Sequence, residues 1–125
     1  MTVLDTPYVH YELKDDILIA SYKKGSRINL DIAKKIVQDR LKFTGNKSMV
    51  ALVYNHGVIS IDKEARDFLS SPAGTEGLKA GAIILDSAFT SILGNFFLSV
   101  SKPNIPAKMF TNVSQAIKWL QKYIY

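Results

Sequence analysis

The chain has 125 residues, of which 47% are hydrophobic and 10% aromatic, and it contains no cysteine. This content can fill the core of one domain over residues 1–125 and excludes a disordered chain, while the lack of cysteine excludes disulfide scaffolds, zinc ribbons and thiol redox enzymes. The net charge of +5 is unevenly placed, because residues 87–125 carry four lysines and no acidic residue. We call residues 87–125 the acid-free end.

The first half of the chain predicts a hairpin and a helix. Residues 8–13 alternate apolar and polar side chains, which predicts a half-buried strand, and residues 17–23 predict its antiparallel partner. The short polar stretch between them suits a hairpin turn. Residues 30–41 then place apolar side chains at three- and four-residue steps, which predicts a helix with Asn29 as N-cap and Gly45 as its C-terminal stop.

The rest of the chain alternates strands and helices. The continuous apolar run 49–54 predicts a strand buried on both faces, followed by a helix over 62–70, a turn over 72–77 and a strand over 80–85. Ser87 caps a predicted helix that Lys102-Pro103 ends. A strand over 107–110 and a last helix, capped by Thr111 or Asn112, complete the pattern. The change of apolar period within residues 80–101 favours a strand and a helix over a membrane span.

The predicted order is β-β-α-β-α-β-α-β-α. Strands that alternate with helices indicate the α/β class, with a mostly parallel sheet of about five strands on which the helices pack. The N-terminal hairpin adds an antiparallel strand at one edge of this sheet.

The second half resembles a family of small bacterial domains. The pattern is similar to the STAS-like group, which includes the anti-sigma-factor antagonists and shares an outline with the CRAL-TRIO lipid-carrier fold, and in particular to a Bacteroidetes-type subgroup of uncharacterised proteins. The residues that carry the resemblance are Lys63 to Pro72, Gly74-Thr75-Glu76-Gly77, Lys79-Ala80-Gly81-Ala82, Gly94 to Leu98, Lys102-Pro103, Pro106, Lys108 and Trp119-Leu120. The resemblance implies a STAS-like fold and a regulatory binding role.

One departure concerns the regulatory serine of the anti-sigma-factor antagonists. In that family a phosphorylated serine follows an aspartate at the start of the helix after the third strand. In this chain Lys63 follows Asp62, and the nearby Ser60 is out of register. The resemblance therefore implies a binding role without the serine phosphoswitch.

Polar residues after the predicted parallel strands are candidates for a ligand or partner site. In open α/β sheets ligands bind beyond the carboxyl ends of the strands. The candidates at this rim are Asn55, His56, Asp86, Ser87, Thr111 and Asn112, and Ser60 is added to them. His56, Asp86 and Ser87 could suggest a hydrolase, but Ser87 has a sufficient role as an N-cap and lies in no Gly-x-Ser-x-Gly elbow.

Two further patterns are better explained by structure than by chemistry. The glycine-rich run 74–81 precedes a strand instead of following one, so it predicts a turn and not a phosphate-binding loop. The two histidines, His10 and His56, have no acidic cluster beside them, which disfavours a metal site. We therefore expect no metal and no cofactor.

The acid-free end offers a candidate partner face. It consists of Lys108, Lys118, Trp119, Lys122 and Tyr123, to which Lys102 and Tyr125 could contribute. Trp119 and Tyr123 are four residues apart and share one side of the last helix, away from the centre of its apolar stripe. These side chains could instead cover a sheet edge and solvate the surface. An anionic partner and a symmetric dimer are the other two interpretations.

Two classes of function remain open. The first is a non-enzymatic cytoplasmic interaction module that binds a protein partner or a second copy of itself. The second is a carrier or sensor that binds a lipid or nucleotide between the sheet and the predicted helix over 89–100, or at the rim. Scattered lysines without a recognition motif disfavour nucleic acid. The absence of a basic, apolar leader at Met1 predicts a cytoplasmic protein.

Overall fold

The computed structural model describes residues 2–55, 57–84 and 104–125. The strands are β1 (Val3–Asp5), β2 (Val9–Lys14), β3 (Ile17–Tyr22), β4 (Arg27–Ile28), β5 (Met49–Asn55), β6 (Ser60–Ile61), β7 (Leu78–Ile84) and β8 (Ala107–Phe110), and the helices are α1 (Leu30–Thr44), α2 (Lys63–Ser70) and α3 (Val113–Ile124). None of these helices is long and apolar enough to cross a membrane. The predicted helix after Ser87 and its end at Lys102-Pro103 lie outside the described residues.

The main sheet confirms the predicted α/β class. Within the described ranges, six strands form this sheet in the order β1-β2-β3-β5-β7-β8. The pairs β1/β2 and β2/β3 are antiparallel, whereas β3/β5, β5/β7 and β7/β8 are parallel. The sheet is therefore mostly parallel beyond an antiparallel N-terminal hairpin, as the alternation of elements predicted.

Three short strands extend the predicted set of about five. β1 adds an edge strand beside β2, and β4 and β6 form a separate parallel pair in which Arg27 lies opposite Ser60. These strands have two or three residues each, too few to show an alternating period. These strands form because they pair with a neighbouring strand, so the local sequence pattern does not predict them.

Two cores cover the two faces of the sheet. One packs α1 and α2 on residues such as Leu18 and Ala20 of β3, and the other packs α3 on Val50 and Leu52 of β5 and on Ala82 of β7. Because successive side chains of a strand point to opposite faces, a strand between two cores needs apolar residues at every position. This explains the unbroken apolar run of β5.

The predicted ends of α1 are confirmed, and of the two candidate N-caps of α3 the structure shows Asn112 in this role. The Asn29 side chain accepts a hydrogen bond from the Ile32 amide, and the Asn112 side chain accepts one from the Gln115 amide. Gly45 ends α1 in the left-handed conformation, with φ of 62°. Asp62 is the N-cap of α2, so this helix begins one residue later than predicted.

Candidate functional site

The described candidate residues of the strand rim belong to different elements of the fold. Asn55 is the last residue of β5, while Ser60 lies in the two-stranded sheet beside Arg27. Thr111 is exposed, and the side chain of Asn112 is engaged in capping α3. His56, Asp86 and Ser87 lie outside the described residues. Whether these side chains form a site stays a prediction.

A pocket of about 150 Å³ lies on the face of the sheet opposite α3. Its floor includes alternate residues of the parallel strands, and helices α1 and α2 and the turn before β7 provide its walls. In one row across the floor, Leu18 lies opposite Ala51, Ala51 opposite Gly81, and Gly81 opposite Ala107. The three small residues at the end of this row leave space above the sheet.

Arg40 is the most deeply buried charged side chain in the wall of this pocket. Although it projects from α1, it is only 8% exposed. Its Nη1 and Nη2 atoms each donate to the Gly74 carbonyl at 3.3 Å, and Nη2 also donates to the Glu76 carbonyl at 2.6 Å. Burial lowers the pKa of Arg40, although nearby Tyr11, Tyr22 and Glu76 oppose this shift. The turn before β7 thus holds a cation beside an apolar pocket.

Other polar groups also line the pocket. Arg66 of α2 is 9% exposed, and its Nη1 donates to the Ile61 carbonyl at 2.6 Å. The Oδ1 atom of Asn55 is buried, and no described residue donates a hydrogen bond to it. Tyr11 donates from its hydroxyl to the Ile36 carbonyl at 3.1 Å, and burial raises its pKa. The pocket is therefore mainly apolar, with a few fixed polar groups.

The described part of the acid-free end, residues 104–125, forms a second candidate surface, on the α3 side of the sheet. Lys108 lies with its Nζ 5.5 Å from the centre of the Phe110 ring. The Phe110 and Trp119 rings have their centres 5.7 Å apart, and the Trp119 and Tyr123 rings are 5.0 Å apart. The lysine–aromatic face consists of Lys108, Phe110, Lys118, Trp119, Lys122 and Tyr123.

The aromatic rings of this face have a double role. Phe110, Trp119 and Tyr123 are partly buried against the core beneath α3, whereas Lys108, Lys118 and Lys122 are exposed. The prediction that Trp119 and Tyr123 lie away from the centre of the apolar stripe agrees with this intermediate burial. The rings therefore cover the sheet near its β8 edge and also leave part of their surface accessible.

Metal binding finds no support in the described residues, which contain no group of three or more histidine or acidic side chains suited to a cation. His10 instead contacts Asp5, with Nδ1 and Oδ1 2.9 Å apart. Lys23 also donates to Asp5, and these two partners lower the pKa of the exposed carboxyl. The contacts of His10 are thus those of a surface cluster at the edge of the sheet.

The sequence analysis missed the pocket and its arginines, although α1 contained a signal. Ala33, Ile36 and Val37 form the buried stripe of this helix, and Arg40 continues the stripe at the next step. A charged residue on an apolar helix face predicts a buried cation with dedicated partners. The floor of the pocket gave no comparable signal, because it depends on how separate strands align.

The arrangement of sheet and helices places the protein among α/β domains of the SpoIIAA-like, or STAS-like, class. A solved structure of an uncharacterised protein of the DUF3478 family from Shewanella loihica PV-4, described as having a SpoIIAA-like fold, is similar with a TM-score of 0.58 and 17% identity, over 90% of this chain and 91% of that chain. The chain belongs to the family described as Domain of unknown function (DUF7793), whose model matches residues 11–124. The STAS-like fold expected from the sequence is thereby confirmed.

Other comparisons add no functional information. A solved protein with unknown function from Arthrobacter sp. FB24 is 24% identical over 88% of this chain and 90% of that chain, but its TM-score of 0.34 is too low to support a structural argument. Comparison with curated proteins gives no match. The pocket and the lysine–aromatic face are therefore the features of the structure that bear on function.

Proposed function

We propose that this chain is a non-enzymatic cytoplasmic interaction domain that binds an acidic surface of a partner protein through its lysine–aromatic face. The observation that carries the proposal is the continuity of three partly exposed rings with three exposed lysines. Aromatic side chains are enriched in protein interfaces because they bury a large area at a small entropic cost.

The lysines of this face have no acidic partner in the described part of the chain. The ion pairs found there involve Asp5, Asp39 and Asp67, and none includes Lys108, Lys118 or Lys122. Residues 87–125 contribute no carboxylate side chain of their own. The positive charge is therefore available to a negatively charged partner, which it would attract at long range.

A second copy of the chain suits this face less well than an acidic partner. In a two-fold symmetric dimer the same surface patch occurs on both subunits. A contact centred on Lys118 and Lys122 would then bring like charges together, which is unfavourable. The charge of the face thus favours a different protein, although the sequence alone also allowed a homodimer.

Site-specific photo-crosslinking in cells of the source organism tests this proposal. A photoreactive amino acid replaces Gln121, which is exposed on α3 between Lys118 and Lys122. The matched control replaces Gln38, an exposed glutamine on α1, across the sheet. We expect a discrete crosslinked protein from position 121 and not from position 38, with acidic residues near the crosslinked peptide.

Three results would contradict the proposal outright, and a fourth would replace the acidic partner with a dimer. The three are the absence of any crosslinked protein at position 121, the same product from both positions, and a product that nuclease removes. The fourth is a crosslink to a second copy of the chain.

A further inference from the structure

The pocket offers space that the opposite face of the sheet does not. There, Ala80 and Ala82 are also small, but Ala116 and Leu120 of α3 pack in the same core and all four are fully buried. Above Gly81, a Cβ atom would meet no described atom within 4 Å. Among the described residues, the row of small residues thus borders a pocket.

The size of the pocket limits what it can bind. At about 150 Å³ it equals an engineered apolar protein cavity of about 150 Å³ that binds benzene. A single ring or a short branched chain fits within this volume, whereas a nucleotide or a long acyl chain would extend out of the pocket. The floor residues Ala51, Val53, Ile83 and Met109 offer such a body apolar contacts.

The buried positive charge of Arg40 favours a negatively charged ligand in this pocket. A guanidinium group has five N–H donors, and the described residues accept three hydrogen bonds from Arg40. Its acceptors are neutral carbonyl oxygens, and no carboxylate in the described part of the chain forms an ion pair with it. Two of its N–H groups have no acceptor among the described residues, and an ionised carboxylate oxygen is a stronger acceptor for them than a neutral carbonyl.

Asn55 adds a buried polar group at one end of the pocket lining. Its Oδ1 atom is buried in the pocket lining without a donor among the described residues, and buried polar groups usually have a partner. Asn55 ends β5, whereas Leu78 begins β7, so the pocket extends along the strand direction.

We propose that the pocket binds a small carboxylate whose apolar body is about the size of a benzene ring, with Arg40 as the anion-binding residue. This site lies across the sheet from the lysine–aromatic face, so the two proposals succeed or fail independently. No chemical step is involved: the ligand binds and leaves unchanged. Such a ligand would stabilise the folded chain by mass action.

Calorimetric titration of the full chain with benzoate tests this site, with neutral benzamide as the matched ligand of the same shape. We expect benzoate to bind at least about tenfold more tightly than benzamide. Absence of benzoate binding, or equal affinity for benzoate and benzamide, would overturn the proposal.

Two variants locate the binding. Gly81→Leu fills the pocket and leaves Arg40 in place, so it should abolish benzoate binding while Gly81→Ala, which adds one methyl group, retains it. Arg40→Gln should remove the preference for benzoate over benzamide. Because Arg40→Gln also removes hydrogen bonds within the fold, Gly81→Leu is the decisive variant: unchanged affinity in a folded Gly81→Leu chain would overturn the assignment.

Discussion

Replacing Gly74 with alanine should destabilise the domain strongly, because the backbone of α2 occupies the space that a side chain would need. A Cβ atom on Gly74 would lie 1.9 Å from the Phe68 carbonyl oxygen and 2.8 Å from Leu69 Cα, whereas real Cβ atoms essentially never approach within 3.0 Å. Neither neighbour is a side chain that could rotate away. The turn before β7 must therefore move away from α2.

The movement also affects the pocket, since the carbonyls of Gly74 and Glu76 accept the hydrogen bonds of Arg40. Overpacking costs about 1–3 kcal/mol, and a buried donor left without its acceptor costs about 1–3 kcal/mol more. We expect the free energy of unfolding to fall by about 3 kcal/mol. For a domain of this length the melting temperature should fall by about 10 °C.

Urea unfolding followed by far-ultraviolet circular dichroism measures this loss. Gly81→Ala is the matched control, because its added Cβ meets no described atom within 4 Å and its φ is not left-handed. Loss of glycine flexibility in the unfolded chain should make this control more stable by about 0.4–1 kcal/mol. If Gly74→Ala is as stable as the original chain, or if both substitutions destabilise equally, the packing described for this turn is wrong.

Two further predictions concern capping and pH. Asn112→Ala should lower stability by about 1 kcal/mol and Asn112→Asp should restore it, because the side chain caps α3; an unchanged urea midpoint in Asn112→Ala would contradict this role. Burial raises the pKa of Tyr11 and Tyr22 above the ordinary value of 10.0, so the unfolded chain loses these protons first and stability should fall as pH rises above about 10. Tyr11→Phe should show a shallower alkaline loss in urea titrations; an identical slope would refute the assignment.

The sequence was sufficient for the elements whose pattern is local. The apolar run of β5, the alternation in β2 and the N-cap Asn29 each follow from a few neighbouring residues, and the structure confirms them. For α3 the sequence left Thr111 and Asn112 as alternative caps, and the structure shows Asn112. The strand β1 was missed because it has three residues and exists through pairing with β2. Local periodicity predicts long elements well and pairing-dependent ones poorly.

The pocket could not be predicted, because its floor depends on register between strands that are distant in sequence. Ala51, Gly81 and Ala107 become neighbours through the alignments of β5 with β7 and of β7 with β8. A shift of one residue in either pair would place the small side chains on the α3 side. Arg40 was visible on the α1 stripe, but its partners come from a turn more than thirty residues away.

Charge reversal on the lysine–aromatic face gives the most direct test of the proposed interaction. The Lys118→Glu/Lys122→Glu chain is compared with Lys34→Glu/Lys42→Glu, which makes the same charge change at exposed positions of α1. The measurement is the yield of the crosslink from position 121. At up to about 1 kcal/mol for each lost exposed ion pair, binding should weaken by up to about thirtyfold in the first chain and little in the second. Equal yields from both chains would contradict the account.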